Sequence, residues 1–299
     1  MHPKVSNIYH AFTLMELAIV LIVIGLLTGG IVAGNEIYHN TKLTSIMSDA
    51  EKFRSQMKNF KDKYDYYPGD FPNATTLWGA MTSPAACDTA GTASTGRFST
   101  TPVALTCDGR GNGTIGMYFT DSTQFSHGAP DANVDMRELR EKFYVWQHLS
   151  LAGYLGSQYS GHSSVTGNNH AISPGVNVPE TGYSGALGFT IEYWPDNYIS
   201  QSSTRSWPVQ GRIGHLLSWS HPGTTVAIPS ANLITAINAR KIDRKIDDGK
   251  PFSGNIFVHG RDGGSSGAYT NVDSCTTGTV YQATAENACG QYYRNFLAE

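Results

Sequence analysis

The sequence predicts an α+β protein led by one very long N-terminal helix, and three observations predict it. Residues 17–33 form an uncharged, mostly aliphatic run. An apolar stripe of helical period carries on from Leu43 to Tyr64. The second half holds short β-branched or aromatic runs bounded by Gly, Pro, Asn and Ser. A long helix followed by short helices and antiparallel strands is the order of an α+β fold rather than of alternating βαβ units.

The aliphatic run comes first in the chain. Counted from Phe12, it holds about 22 residues, or roughly 33 Å as a helix, enough to span a hydrocarbon core. Glu16 interrupts its start, and a carboxylate near mid-bilayer costs roughly 2.5 kcal/mol or more. A cleaved secretory signal would have a basic start, an apolar core and small residues before the cut. Lys4 and Val32-Ala33-Gly34 supply those parts, but Glu16 at the mouth of the core fits poorly. A plain signal anchor leaves the acid without a role.

A third reading gives the acid a partner. Ala11-Phe12-Thr13-Leu14-Met15-Glu16-Leu17 and the aliphatic run after it resemble the class III signal of type IV prepilins and type II secretion pseudopilins. The resemblance implies that residues 1–11 are a leader, cut by a prepilin peptidase between Ala11 and Phe12. It implies methylation of the new Phe12 amine, and pairing of Glu16 with the N-terminal ammonium of a neighbouring subunit. In a low-dielectric fibre core each charge removes the other's unpaired-charge penalty, and the pair sets axial register. Two departures stand out. Ala11 occupies the position where the family usually has glycine, and the helix-bending proline of many type IVa pilins is absent. Gly29, Gly30 and Gly34 lie in that neighbourhood and are expected to loosen the helix by low propensity.

Beyond the apolar run, Leu43, Ile46, Ala50, Phe53, Met57, Phe60 and Tyr64 recur at spacings of three and four. They make one face to pack on a head. Asp49, Glu51, Lys52, Arg54, Lys58, Lys61 and Asp62 lie between them as a solvated face. Tyr67-Pro68-Gly69-Asp70 stops the helix, since proline lacks a donor and disfavours helix at the residue before it. The organisation is therefore a leader at 1–11, a membrane and assembly helix at 12–33, its amphipathic continuation at 34–66 and a globular extracytoplasmic head at 67–299.

Within the head, residues 82–127 are rich in Gly, Ser, Thr and Asp and read as a long, stapled irregular region. Asn73-Ala74-Thr75 matches a glycosylation sequon by pattern only. A second helix is expected from Asp135 to Ala152, with Leu139, Phe143, Trp146 and Leu149 on one face and Gly153 as its stop. Strands are expected at 187–194, 213–220, 224–228 and 255–259. A third helix is expected at 231–246, with Leu233, Ile237 and Ile246 aligned. Tyr193, Trp194, Tyr198, Trp207 and Trp219 read as core aromatics.

Four cysteines occur, with no Cys-x-x-Cys spacing that would suggest zinc or dithiol redox chemistry. An even count beyond a membrane anchor favours disulfides. Of three connectivities, the local one (Cys87 with Cys107, Cys275 with Cys289) is the simplest. Asp243, Asp247 and Asp248 form the densest acidic cluster, and major pseudopilins carry a calcium site in the head. The spacing here differs from Asp-x-Asp-x-Asp-Gly arrays, so a helix end with Asp248-Gly249 as a turn is the favoured reading, with calcium as the alternative. No cofactor is expected. The scattered histidines, among them His127, His148, His162, His170, His215, His221 and His259, show no ligand spacing. Gly-Arg-Asp-Gly-Gly at 260–264 reads as a loop.

Taken with the resemblance, the expected role is structural rather than enzymatic. The chain would be a subunit of a type IV pilus-like fibre, minor or adhesive in view of its large head. It would cross the bacterial inner membrane once with its head in the periplasm, then polymerise with its own kind or other pilins, in the periplasm or at the cell surface. The alternatives are a type II secretion pseudopilin and, from another class, a membrane-tethered periplasmic binding protein or enzyme. A net charge of -3 argues against a nucleic-acid partner, which would need a basic stripe on the head.

Overall fold

Residues 14 to 64 form one uninterrupted helix, α1 (Leu14–Tyr64), in the computed structural model. The structure describes residues 13–81, 87, 105–116, 136–163, 171–194, 214–220, 234–260, 275–277, 280–282 and 289–297. The chain divides into two compact units that meet between Lys42 and Leu43.

In the first unit, every side chain from Thr13 to His39 is exposed. The aliphatic segment has a mean hydropathy of 2.6 and is long and apolar enough to cross a membrane, by length and composition. α1 passes unbroken through Gly29, Gly30 and Gly34. A glycine lowers helix stability, but its backbone completes the same hydrogen-bond ladder as any other residue.

The second unit begins with the outer part of α1. Its predicted stripe is the buried one: Leu43, Ile46, Ala50, Phe53, Met57 and Phe60 are all in the core. Arg54 departs from the expected solvated face. Its Nε donates to the carbonyl of Phe296 at 2.8 Å and its Nη1 to the Tyr293 hydroxyl at 3.0 Å, with the guanidinium over both aromatic rings. The helix stops at Tyr64, two residues short of the expected end at 66. Asp65 adopts φ +63, a left-handed cap whose N–H returns to Lys61 O at 2.8 Å. A five-residue helix that periodicity is too short to reveal, α2 (Ala74–Trp78), follows.

The expected second helix is α3 (Met136–Leu151), and from Arg140 to Leu149 it is buried on all sides rather than on one face. Phe143, Tyr144, Val145 and Trp146 share the interior with Arg140, Glu141, Lys142, Gln147 and His148. Polar residues can sit there only because they are paired. Lys142 Nζ, for example, meets Glu192 Oε1 at 2.9 Å. Glu192 belongs to β1 (Gly188–Trp194), which pairs with β2 (Gly214–Ser220). The predicted strand at 224–228 lies outside the described residues.

The third helix, α4 (Ala236–Ile246), starts later than its periodicity suggests. Thr235 caps it by accepting from Asn238 N, and Ile234 is already in a β-bridge with Cys289. Its packed face is Ala236, Ala239, Ile242 and Asp243, whereas Ile237 is half exposed. The aliphatic line through Ile237 is therefore not the buried one, and Leu233 lies outside the described residues.

Next come β3 (Ile256–Gly260), the short hairpin of β4 (Thr276–Thr277) and β5 (Val280–Tyr281), and β6 (Cys289–Tyr293). The main sheet is antiparallel with order β1-β2-β6-β3, so β6 inserts between β2 and β3. Phe53 of α1 ties the layers together. Its ring meets Trp146 of α3 and Phe189 of β1 edge-on, each at 5.0 Å. Trp219 is core, as expected, and Tyr193 is half-buried; Tyr198, Trp207 and the side chain of Trp194 lie outside the described residues. Both cysteine pairs are joined locally, Cys87–Cys107 with Cα atoms 5.3 Å apart and Cys275–Cys289 at 5.1 Å.

Candidate functional site

At the start of α1, Thr13 and Glu16 engage each other. The Thr13 amide and hydroxyl donate to Glu16 Oε2 at 2.8 and 2.9 Å, and the Glu16 amide donates to Thr13 Oγ1 at 3.2 Å. This is a capping box, signalled by the spacing Thr-x-x-Glu. It gives Glu16 a local task that the charge-pair reading passes over. Only Oε2 is engaged; among the described residues Glu16 Oε1 accepts no hydrogen bond. Ala11 and Phe12, the expected cleavage and methylation positions, lie outside the described residues.

In the head, the acidic cluster does come together: oxygens of Asp243, Asp247 and Asp248 lie within 4.8 Å of one another. Asp243 Oδ1 accepts from Gly249 N, and its Oδ2 accepts from the Tyr281 hydroxyl at 2.6 Å. Asp247 Oδ2 accepts from the amides of Asn255 and Ile256. Asp248 takes the Lys250 amide and the Ser253 hydroxyl. Burial pushes the Asp243 carboxyl up to about 6, against the pull of Tyr281 and the Gly249 amide. Among the described residues, Asp247 Oδ1 is the one oxygen of the six that accepts no hydrogen bond. These bonds tie the end of α4 to its turn, and the same three carboxylates are close enough together to share a cation. Gly249, at φ +75, is the expected turn residue.

A second acidic arrangement has no counterpart in the sequence reading. The segment 105–116 is held by three carboxylates. Asp70 accepts from Asn112 N at 2.9 Å and Gly113 N at 2.8 Å. Glu141 accepts from Arg110 N and Gly116 N, both at 2.9 Å. Asp108 accepts from the amide and hydroxyl of Thr75 at 2.7 and 2.8 Å, capping α2. Asp70 and Glu141 are fully buried. Burial raises both carboxyls, Glu141 to about 8, with the loop amides pulling the other way.

Three histidines are buried beside this clamp or near it. His148 Nδ1 accepts from the Gly69 amide, and its Nε2 lies 3.1 Å from both Thr106 Oγ1 and Cys107 O. His215 Nε2 accepts from Ile115 N at 3.1 Å, and His162 Nε2 lies against Met81 Sδ. His127, His170, His221, the side chain of His259 and residues 261–264 lie outside the described residues. His148 and His215 thus accept from loop backbone, which matches the reading of each as a satisfied core residue.

No protein-family model matches the chain, and no match was found to a curated protein or to a solved structure.

Proposed function

We propose that the chain is a type IV pilin-like structural subunit, processed by a prepilin peptidase, inserted in the bacterial inner membrane by α1 and polymerised through that helix. One observation carries the reading. The same continuous helix supplies an exposed apolar segment opened by a lone acid and, further on, the buried stripe from Leu43 to Phe60 in the head's core. A simple tether does not need to be built into the core of what it tethers. A polymerising helix does, because packing between helices then orders the heads.

A structural role is further supported by the buried titratable groups. Asp70, Glu141, Asp243, His148 and His215 each accept from a backbone amide, which is the work of holding loops rather than of meeting a substrate.

Mass spectrometry of the mature N-terminus tests the proposal. A chain beginning at methylated Phe12 is the expected result. A mature start near Asn35, as a secretory signal peptidase would leave, overturns it.

A further inference from the structure

The outward face of α4 is a basic stripe. Ile237, Arg240, Lys241, Arg244 and Lys245 follow one another at i, i+3, i+4, i+7 and i+8, and all five are exposed. The opposite face, with Ala236, Ala239 and Ile242, is in the core, so the stripe is held outward by packing. Among the described residues, no carboxylate pairs with Arg240, Lys241 or Arg244. Lys245 Nζ donates to Thr44 Oγ1 at 2.7 Å, a contact that leaves its charge uncompensated. The acids beyond the helix end, Asp247 and Asp248, are engaged by turn amides and Ser253.

We infer that this face of α4 binds the headgroups of an anionic lipid surface. The inference rests on the reading of α1 as membrane-inserted. Three observations select lipid over a nucleic-acid strand. The chain as a whole is negative, with a net charge of -3. A long polyanion needs cations along its whole track, whereas a headgroup feels only cations within a Debye length of about 8–10 Å. Ile237 stands half exposed in the same stripe; a shallow apolar contact is useful at a bilayer interface and idle on a phosphate backbone. Finally, the unit that carries the stripe begins at Leu43, ten positions after the apolar run ends at Ala33. So short a covalent link to a membrane segment raises the effective concentration of the stripe at a lipid surface.

The test uses the full chain in nanodiscs of phosphatidylcholine alone or mixed with phosphatidylglycerol, with acetylation of individual lysines read by mass spectrometry. Lys58, exposed on α1, is the internal control. In phosphatidylglycerol discs at low salt, labelling of Lys241 should slow about fivefold or more relative to Lys58, and recover at high salt. The double variant Arg240→Glu with Arg244→Glu should lose that protection with its melting temperature unchanged. Equal labelling of Lys241 in both discs overturns the inference while leaving the membrane reading intact. A chain that fails to enter either disc overturns the membrane reading, and the inference with it. Protection by a DNA duplex but not by phosphatidylglycerol overturns the lipid assignment.

Discussion

The Gly69 amide donates to His148 Nδ1 across 3.0 Å inside the head, and this bond settles which ring nitrogen carries the proton. With Nδ1 accepting, Nε2 is the protonated nitrogen and faces Thr106 and Cys107. Burial holds His148 down to about 4, and His215 to about 4 for the same reason. A group whose folded pKa is depressed below about 6.5 contributes stability that is lost as pH falls. Melting temperature should therefore drop between pH 6.5 and 4. His148→Gln should flatten that acid limb, whatever it does to absolute stability. An unchanged slope in scanning calorimetry would count against the assignment.

Glu141 produces the opposite limb. Burial raises its carboxyl to about 8, so its contribution is fully present below about pH 4.5 and is lost as pH rises through 8. Asp243, raised to about 6, has the same sign over a narrower window. The difference in melting temperature between Glu141→Gln and the parent should shift in favour of the variant from pH 5 to 8.5. A pH-independent difference would refute it.

Gly109 and Gly113 separate steric from conformational demands on glycine. A Cβ on Gly109 would run into Gly69 O and the Asp70 backbone, whereas one on Gly113 would meet nothing within 4 Å, although Gly113 sits at φ +86. Gly109→Ala should cost about 3 kcal/mol or more, since backbone cannot step aside. Gly113→Ala should cost about 1 kcal/mol through its left-handed conformation alone. Urea denaturation measures both, and equal costs would refute the distinction.

Glu16 carries a cap and, in the proposed fibre, a charge. Glu16→Gln retains the capping geometry but removes the charge, while Glu16→Val removes both. Both variants should insert in the membrane and fail to assemble. Normal fibres from Glu16→Gln, seen by electron microscopy, would reduce the acid to a helix cap.

Features with a local or periodic signature were legible in the sequence. The stripe from Leu43 to Phe60 repeats every three or four residues, and the cysteines pair across separations of 20 and 14. The carboxylate clamp on 105–116 was not legible. Asp70 finds Gly113 across 43 positions and Glu141 finds Arg110 across 31, and a side chain bonded to distant backbone leaves no period to read. For the same reason α3 looked amphipathic. Lys142 and Glu141 resemble surface charges until the ion pair with Glu192 and the bonds to loop amides are seen. At Thr13 and Glu16 the capping signal was present, but it competes with a second reading of the same residues.

The place of β6 in the sheet bears on the timing of folding. β1 and β2 can pair as soon as both exist, but among the described residues β3 has no neighbour in the main sheet except β6. Arg54, near the start of the head, has its carbonyl acceptor at Phe296, 242 positions later. A chain delivered from its N-terminus therefore exposes an open sheet until residues 289–293 arrive. Closure of the head therefore waits for β6: a chain delivered short of it leaves β2 and β3 unjoined.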